Sequence, residues 1–341
     1  VIEVNRVLVG DVRKRLCEVP DASVDCVITS PPYYLMRDYG AAGQLGIEST
    51  VEEWAQALRG VLHDLGRVLK PAGSVWLNLG DTYSRHPSSG AERKGLLLGP
   101  ERLALMLLED DWIIRNKIVW AKTNPLPSSV SDRLSPTWEV LYFLVRSQHY
   151  FFDLDAVRVP HRSQQTGRGN SFAVYPPPEH GAPSWGKDLR GNAGLATLKR
   201  RGLAGHPLGK NPGDVWSLPT ASYHGAHFAT FPPRLVERPL LATCPERVCA
   251  RCGLAWRRTA RLGRLAVRGK LLPACSCERG WRPGLVLDPF LGAGTVAVVA
   301  EQHGRDWLGI ELNPVFAALT EQRLADAKRS RTNTESEQSA A

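Results

Sequence analysis

Apolar positions along the chain fall into two kinds of run. Short, apolar-rich runs occur within residues 7–9, 24–28, 74–79, 138–146, 284–288 and 305–311. Each is too brief for a helix and rich in Val, Ile, Leu and aromatics, which predicts buried strands. Residues 112–120 alternate towards another strand. Between these runs the spacing becomes helical. Trp54, Leu58, Val61, Leu62 and Leu65 share one helical face, entered through Thr50 with Glu53 three residues on, a capping signature. Further helices are expected at residues 100–109, 233–241, 295–302 and 314–327, and a turn or two of helix at 12–19. Pro71-Ala72-Gly73 reads as a turn, residues 33–46 as a mobile glycine-rich loop, and 214–218 as a loop. Strands and helices in alternation predict an α/β protein.

Composition narrows the picture. The 341 residues suffice for one large α/β domain with an insertion or small second domain. Hydrophobic content of 43% and charged content of 23% exclude wholesale disorder. No apolar run approaches the roughly 18 residues of a membrane span, and the first residues do not resemble a signal peptide, so no membrane role and a cytoplasmic location are expected. From residue 163 to 213, Gly and Pro abound and long apolar runs vanish, which predicts an insertion without a large core. The net charge of +9 is uneven: ten Arg or Lys lie between Arg247 and Arg282 against one acid, Glu278. Such a face suits phosphates.

Five of the seven cysteines cluster late in the chain. Cys249 and Cys252 form a Cys-x2-Cys, Cys275 and Cys277 a Cys-x-Cys, and 22 residues separate the pairs. Four thiolates favour a closed tetrahedral Zn²⁺ site, which would staple a segment too short and basic to build a core. Reduced buried thiols or an iron–sulfur cluster are the alternatives, and Cys244 is a spare ligand.

Two stretches carry candidate chemistry. In the first, a strand runs into Thr29-Ser30-Pro31-Pro32-Tyr33. The prolines end the ladder and hold the chain extended, leaving a rigid polar edge beside an aromatic ring. That edge suits a planar ring bearing an amino group. In the second, Asp288-Pro289-Phe290-Leu291-Gly292-Ala293-Gly294-Thr295 is strand, glycine turn and helix start, and Glu311 ends the next strand 23 residues after Asp288. Ligand crevices of open α/β sheets lie at such strand ends, and an acid there commonly holds a ribose. The third glycine of the dinucleotide pattern is replaced by Ala297, which favours a nucleoside without pyrophosphate. Asp11 ends the first strand; it could accept from an adenine amino group or merely cap the following helix.

The first stretch resembles the catalytic motif of the amino-methylating DNA methyltransferases, and the second their S-adenosylmethionine motif. With the catalytic motif first, the arrangement resembles the beta order of that family. The resemblance implies a Rossmann-like methyltransferase fold: a mixed sheet with helices on both faces, circularly permuted, with a target-recognition insertion and a cysteine-rich module added. Residues 1–155 would form the catalytic half, 156–215 the target-recognition region, 216–243 a segment closing over the cofactor, 244–282 the zinc module, 283–327 the cofactor-binding half and 328–341 a loose tail. Cofactor contacts would come from Asp11, Thr29, Phe228, Phe231, Asp288, Phe290, Gly292, Gly294, Thr295 and Glu311.

In that family Ser before Pro-Pro-Tyr accompanies cytosine-N4 methylation, and Asp or Asn accompanies adenine N6. Ser30 therefore points to cytosine N4, with adenine N6 the alternative and an inactive DNA-binding protein a more distant one. An exocyclic amine conjugated with its ring is a poor nucleophile. Ser30 and the Pro31 carbonyl would accept its two hydrogens and aim its lone pair, with Tyr33 stacked on a base flipped from the duplex. Expected partners are double-stranded DNA, a restriction endonuclease acting at the same site, and a second copy in a homodimer.

Overall fold

A computed structural model of the chain describes residues 3–160, 206, 208–221, 231–261 and 267–339. Phe228 and most of the expected target-recognition stretch lie outside these residues. The chain divides into two units. The first comprises Val1–Asp153, Gly213–Trp256 and Pro273–Ala341, and the second Leu154–Pro212 and Arg257–Leu272.

The first unit is built on an eight-stranded mixed sheet. Its strands are β1 (Arg6–Val9), β2 (Val24–Thr29), β3 (Leu69–Leu79), β4 (Ile113–Lys122), β5 (Trp138–Val145), β6 (Val215–Leu218), β11 (Leu285–Asp288) and β12 (Asp306–Glu311). They lie in the order β1-β12-β11-β2-β3-β5-β4-β6. The five from β1 to β3 are parallel, β5 is antiparallel to both its neighbours, and β6 runs parallel to β4. β11 and β2 pair side by side, so the ends of the two candidate motifs emerge together.

The central strands read as unbroken apolar runs because both sheet faces are covered. Along β2, Val24 and Val27 join one core while Cys26 and Ile28 join the other. Along β3, Val75, Leu77 and Leu79 face the first and Trp76 the second. The first core is closed by α1 (Val12–Arg15), α2 (Val51–Val68) and α3 (Gly99–Glu109). The second is closed by α4 (Pro233–Thr243), α5 (Thr295–Gln302) and α6 (Pro314–Ser339). Helix α2 starts as expected: Thr50 Oγ1 accepts from Glu53 N at 3.1 Å, and Glu53 reaches back to Ser49 N.

Several sequence expectations need correction. The strand expected from residue 74 begins at Leu69 and passes through Pro71-Ala72-Gly73, where its register against β2 shifts between Val24 and Cys26. Residues 215–218 form strand β6 rather than a loop, a four-residue edge too short for its own signal. Helix α6 runs past residue 327 to Ser339, so part of the expected loose tail is helical.

Two short strands complete the first unit, β7 (Val248–Cys249), which carries one of the clustered cysteines, paired with β10 (Trp281–Arg282). The basic hairpin of β8 (Arg257–Arg261) and β9 (Val267–Leu272) belongs to the second unit, so the stretch expected as one zinc module is shared between the two. No helix among the described residues is long and apolar enough to cross a membrane.

Candidate active site

The glycine turn after β11 is shaped by its neighbours. Gly292 and Gly294 adopt φ of +53° and +77°, where a side chain would be strained. A Cβ on Gly294 would lie 2.4 Å from Thr320 Cγ2 of α6, so only glycine fits. Thr320 Oγ1 donates to Gly292 O at 3.0 Å, and Arg323 donates to Ala293 O. Helix α6 thereby clasps the turn. Glu311, at the end of β12, accepts from Gly292 N at 2.7 Å and Asn313 N at 2.8 Å. Burial pushes its carboxyl above the usual range, opposed by those amides.

Gly292, Ala293, Glu311 and Asn313 line a pocket of about 850 Å³, including its open mouth, while Gly294 lies outside its wall. Ser30, Pro32, Asp11, Phe231, Phe290, Gly292, Thr295 and Glu311, all named from the sequence, share its wall. Tyr39 and Gln44, from the aromatic loop 33–46 that the sequence sets near the site, share it too, as do Asn313 and Phe316, which were not foreseen. Tyr39 and Phe316 meet edge to face, ring centroids 6.5 Å apart. Nothing local in the sequence marks Phe316, an aromatic on the first turn of a terminal helix.

Asp288 and Thr29 stand behind the pocket. Thr29 Oγ1 donates to Asp288 Oδ1 at 2.7 Å, a bond joining residues 259 apart, and Phe290 N donates to the same oxygen at 3.1 Å. Asp288 Oδ2 is buried without a partner. Burial pushes this carboxyl up to about 7, with Thr29 opposing. A buried carboxylate oxygen lacking a donor suits a ligand that brings a cationic or N–H group. An anchored carboxylate at the end of β12 suits a ribose. The residues therefore fit S-adenosylmethionine. Asp11 caps α1 through Arg13 N at 2.9 Å, and its carboxylate is held by the Arg13 guanidinium, which keeps it below the usual range.

The catalytic edge is equally specific. The Pro32 carbonyl is occupied by Trp54 Nε1 at 2.9 Å. Among the described residues no group donates to the Pro31 carbonyl. The Tyr33 ring lies against Gly80, where a Cβ would come within 2.6 Å of Cε2. Its hydroxyl is turned inwards, 3.1 Å from Ser30 Oγ and 2.8 Å from Glu139 Oε2. Burial and the nearby Glu139 charge push the phenol well above its ordinary value, so it stays protonated.

Away from this site, the sulfurs of Cys249, Cys252, Cys275 and Cys277 all lie within 4.8 Å of one another. Zinc–sulfur bonds of about 2.3 Å would set tetrahedral thiolates about 3.8 Å apart, so the set fits a metal with small adjustment. Backbone amides of Cys252 and Arg251 pull the Cys249 thiol down to about 6. Arg247 packs beside the cluster between Trp281 and Trp256, 4.1 and 5.6 Å from the ring centroids.

Comparison with known proteins agrees with this geometry. The DNA methylase family model N6_N4_Mtase matches residues 24–322. The type II methyltransferase M.SfiI of Streptomyces fimbriatus is 30% identical, over 89% of this chain and 87% of its own. The fold is similar to that of the PvuII DNA methyltransferase, described as cytosine-N4-specific, with a TM-score of 0.57, 16% identity and coverage of 94% and 90% of the two chains. It is also similar to a Thermus thermophilus protein described as a DNA modification methylase and complexed with S-adenosyl-L-methionine, with a TM-score of 0.52, 21% identity and coverage of 94% and 95%. The chain belongs to the N6/N4 family of DNA methylases and is an S-adenosylmethionine-dependent DNA amino-methyltransferase.

Proposed function

We propose that the protein methylates the N4 amino group of a cytosine flipped out of duplex DNA. The observation that carries this reading is the first position of the catalytic edge. A serine hydroxyl, not a carboxylate or carboxamide, lines the cofactor pocket there. S-adenosylmethionine, when bound, supplies an electrophilic methyl group. Glu311 would hold its ribose, the free Asp288 oxygen would face its cationic end, and Phe231 and Phe290 would pack against it. Ser30 Oγ and the Pro31 carbonyl would accept the two amine hydrogens, drawing the nitrogen lone pair out of conjugation. The rigid Pro-Pro backbone fixes both acceptors before the base arrives, so little reorganisation is left for the reaction itself. The proton is lost once attack has made the amine acidic, so no strong base is needed.

DNA would lie across the sheet ends. A groove lined by Arg85, Lys94 and Arg133 together with Asp81 and Asp132 offers cations to a strand; Lys94 is paired with Asp132, and Arg133 covers the Tyr83 ring. Base reading would fall to residues 156–215, and residues 216–243 would close over the cofactor. The strand order, with β1 and β2 flanking the β11–β12 pair, supports a circularly permuted methyltransferase sheet. The four cysteines would hold a structural zinc. A restriction endonuclease of the same specificity and a homodimer are the further partners this reading implies.

The test is incubation with duplex DNA and methyl-labelled S-adenosylmethionine, nucleoside digestion and mass spectrometry. N4-methylcytosine is expected. N6-methyladenine would keep the fold and cofactor and overturn the base assignment.

A further inference from the structure

The hydroxyl of Ser30 has two ways to point, and only one of them serves an amine. To receive an N–H, Ser30 Oγ must offer a lone pair, so its own proton must be committed elsewhere. The groups behind it settle this. Lys122 Nζ donates to Glu139 Oε1 at 2.6 Å, and both side chains are largely buried, 21% and 14% exposed. The Lys122 ammonium also lies 5.4 Å from the centroid of the Trp120 ring. Tyr33 Oη lies 2.8 Å from Glu139 Oε2 and 3.2 Å from Asn78 Oδ1. Asn78 is oriented by its amide nitrogen, which donates to Val140 O at 3.0 Å and to Glu139 Oε2 at 3.2 Å.

Tyr33 has one proton, and both partners on that side are acceptors. The shorter, charge-assisted bond to Glu139 takes it. The Tyr33 oxygen is then an acceptor, and Ser30, 3.1 Å away, is the hydroxyl that can donate to it. The chain therefore has a single direction, from Ser30 through Tyr33 to Glu139. We propose that Glu139, held by Lys122, is a positioning residue that fixes this direction, so that Ser30 Oγ presents lone pairs to the target amine. Without the carboxylate, only the longer, uncharged contact to Asn78 Oδ1 at 3.2 Å holds the Tyr33 proton, which can then turn to Ser30. The serine proton then faces the amine, and a donor meets a donor.

The inference rests on the amine-methylation reading above and deepens it. Its test compares wild type, Glu139→Gln, Glu139→Asp, Tyr33→Phe and Tyr33→Phe/Glu139→Gln in single-turnover methyl transfer to duplex DNA, with cofactor affinity measured by calorimetry. Glu139→Gln and Tyr33→Phe should each slow methyl transfer about 10–100-fold, the worth of one charge-assisted hydrogen bond. Cofactor Kd should stay within about threefold because neither side chain lines the cofactor pocket, and DNA KM likewise because every variant keeps the aromatic ring at position 33. The double variant should be no slower than the worse single one, since both break one chain. Glu139→Asp should recover part of the rate. A Glu139→Gln rate within about threefold of wild type overturns the proposal, as does a loss confined to KM or losses that multiply in the double variant. Should Glu139→Gln fail to fold because Lys122 is left buried and unpaired, Lys122→Met/Glu139→Gln removes both charges and carries the same expectations. The wild-type product keeps the two readings apart. Methylation of adenine would overturn the cytosine assignment and leave this chain standing, because adenine N6 is also an amine that needs an acceptor. A wild type that methylates no base would overturn both.

Discussion

Thr29→Val is the most informative single change. Valine keeps the volume of threonine in a fully packed strand and removes only the 2.7 Å bond to Asp288. A hydrogen bond to a charged group contributes about 1.5–3 kcal/mol, and a neutral one about 1 kcal/mol. The cost therefore depends on the ionisation of Asp288. Burial raises this carboxyl from 3.8 to about 7, so its folded-state contribution is fully present below its unfolded value and is lost as pH rises through about 7. Removing Thr29 removes a group that favours the ionised form and pushes the carboxyl higher still. At pH 5.5 Asp288 is protonated with or without Thr29, and the variant should lose about 1 kcal/mol. At pH 8 the wild type is ionised and bonded, and the loss should rise towards about 3 kcal/mol. Urea unfolding followed by the fluorescence of the ten tryptophans reads both values. Cofactor titration at pH 7.5 should show weaker binding in the variant if Asp288 serves the cationic end of the cofactor as proposed, because a smaller fraction of it is then ionised. Equal stability losses at the two pH values would refute the account of Asp288, and no loss at either would refute the bond itself.

Glu311→Ala should weaken S-adenosylmethionine about 10–100-fold by calorimetry, the cost of losing charge-assisted bonds to a ribose, while leaving DNA binding unchanged. Gly80→Ala places a methyl 2.6 Å from the Tyr33 ring. It should cut turnover at least about tenfold, with cofactor Kd unaltered, because the ring and hydroxyl move together. Elemental analysis of purified protein should find about one zinc per chain, and its removal by chelator, or Cys252→Ser, should lower the melting temperature. Protein without metal and with an unchanged melting temperature would leave the four sulfurs as ordinary thiols.

Much of this site was legible in the sequence because its pieces are local. The run into Ser30-Pro31-Pro32-Tyr33 ends a strand by proline chemistry. The turn at Gly292 and Gly294 announces itself by residues that tolerate positive φ. What escaped was non-local. Glu139 and Lys122 sit on strands β5 and β4 with ordinary alternation, and only their pairing across the ladder, with Trp120 opposite Glu139, brings them behind Tyr33. Phe316 enters the pocket because α6 folds back over the glycine turn, a fact of packing. The edge strand β6 owes its conformation to hydrogen bonds from β4 rather than to its own four residues.

The place of β1 in the sheet has a consequence for how the molecule is made. Its residues 6–9 pair with 308–311, and Trp307 N donates to Asn5 across 302 positions. Strand β2 likewise waits for β11. During synthesis from the N-terminus, both strands leave the ribosome long before their partners exist, with an apolar ladder edge open to any other chain. Such distant pairing makes folding slow. The cofactor pocket cannot form until β11 and β12 are in place, so a nascent chain is inert towards its cofactor until they have been made. Until those partners are made, the ladder edges of β1 and β2 stay open, the condition under which strands pair with other chains.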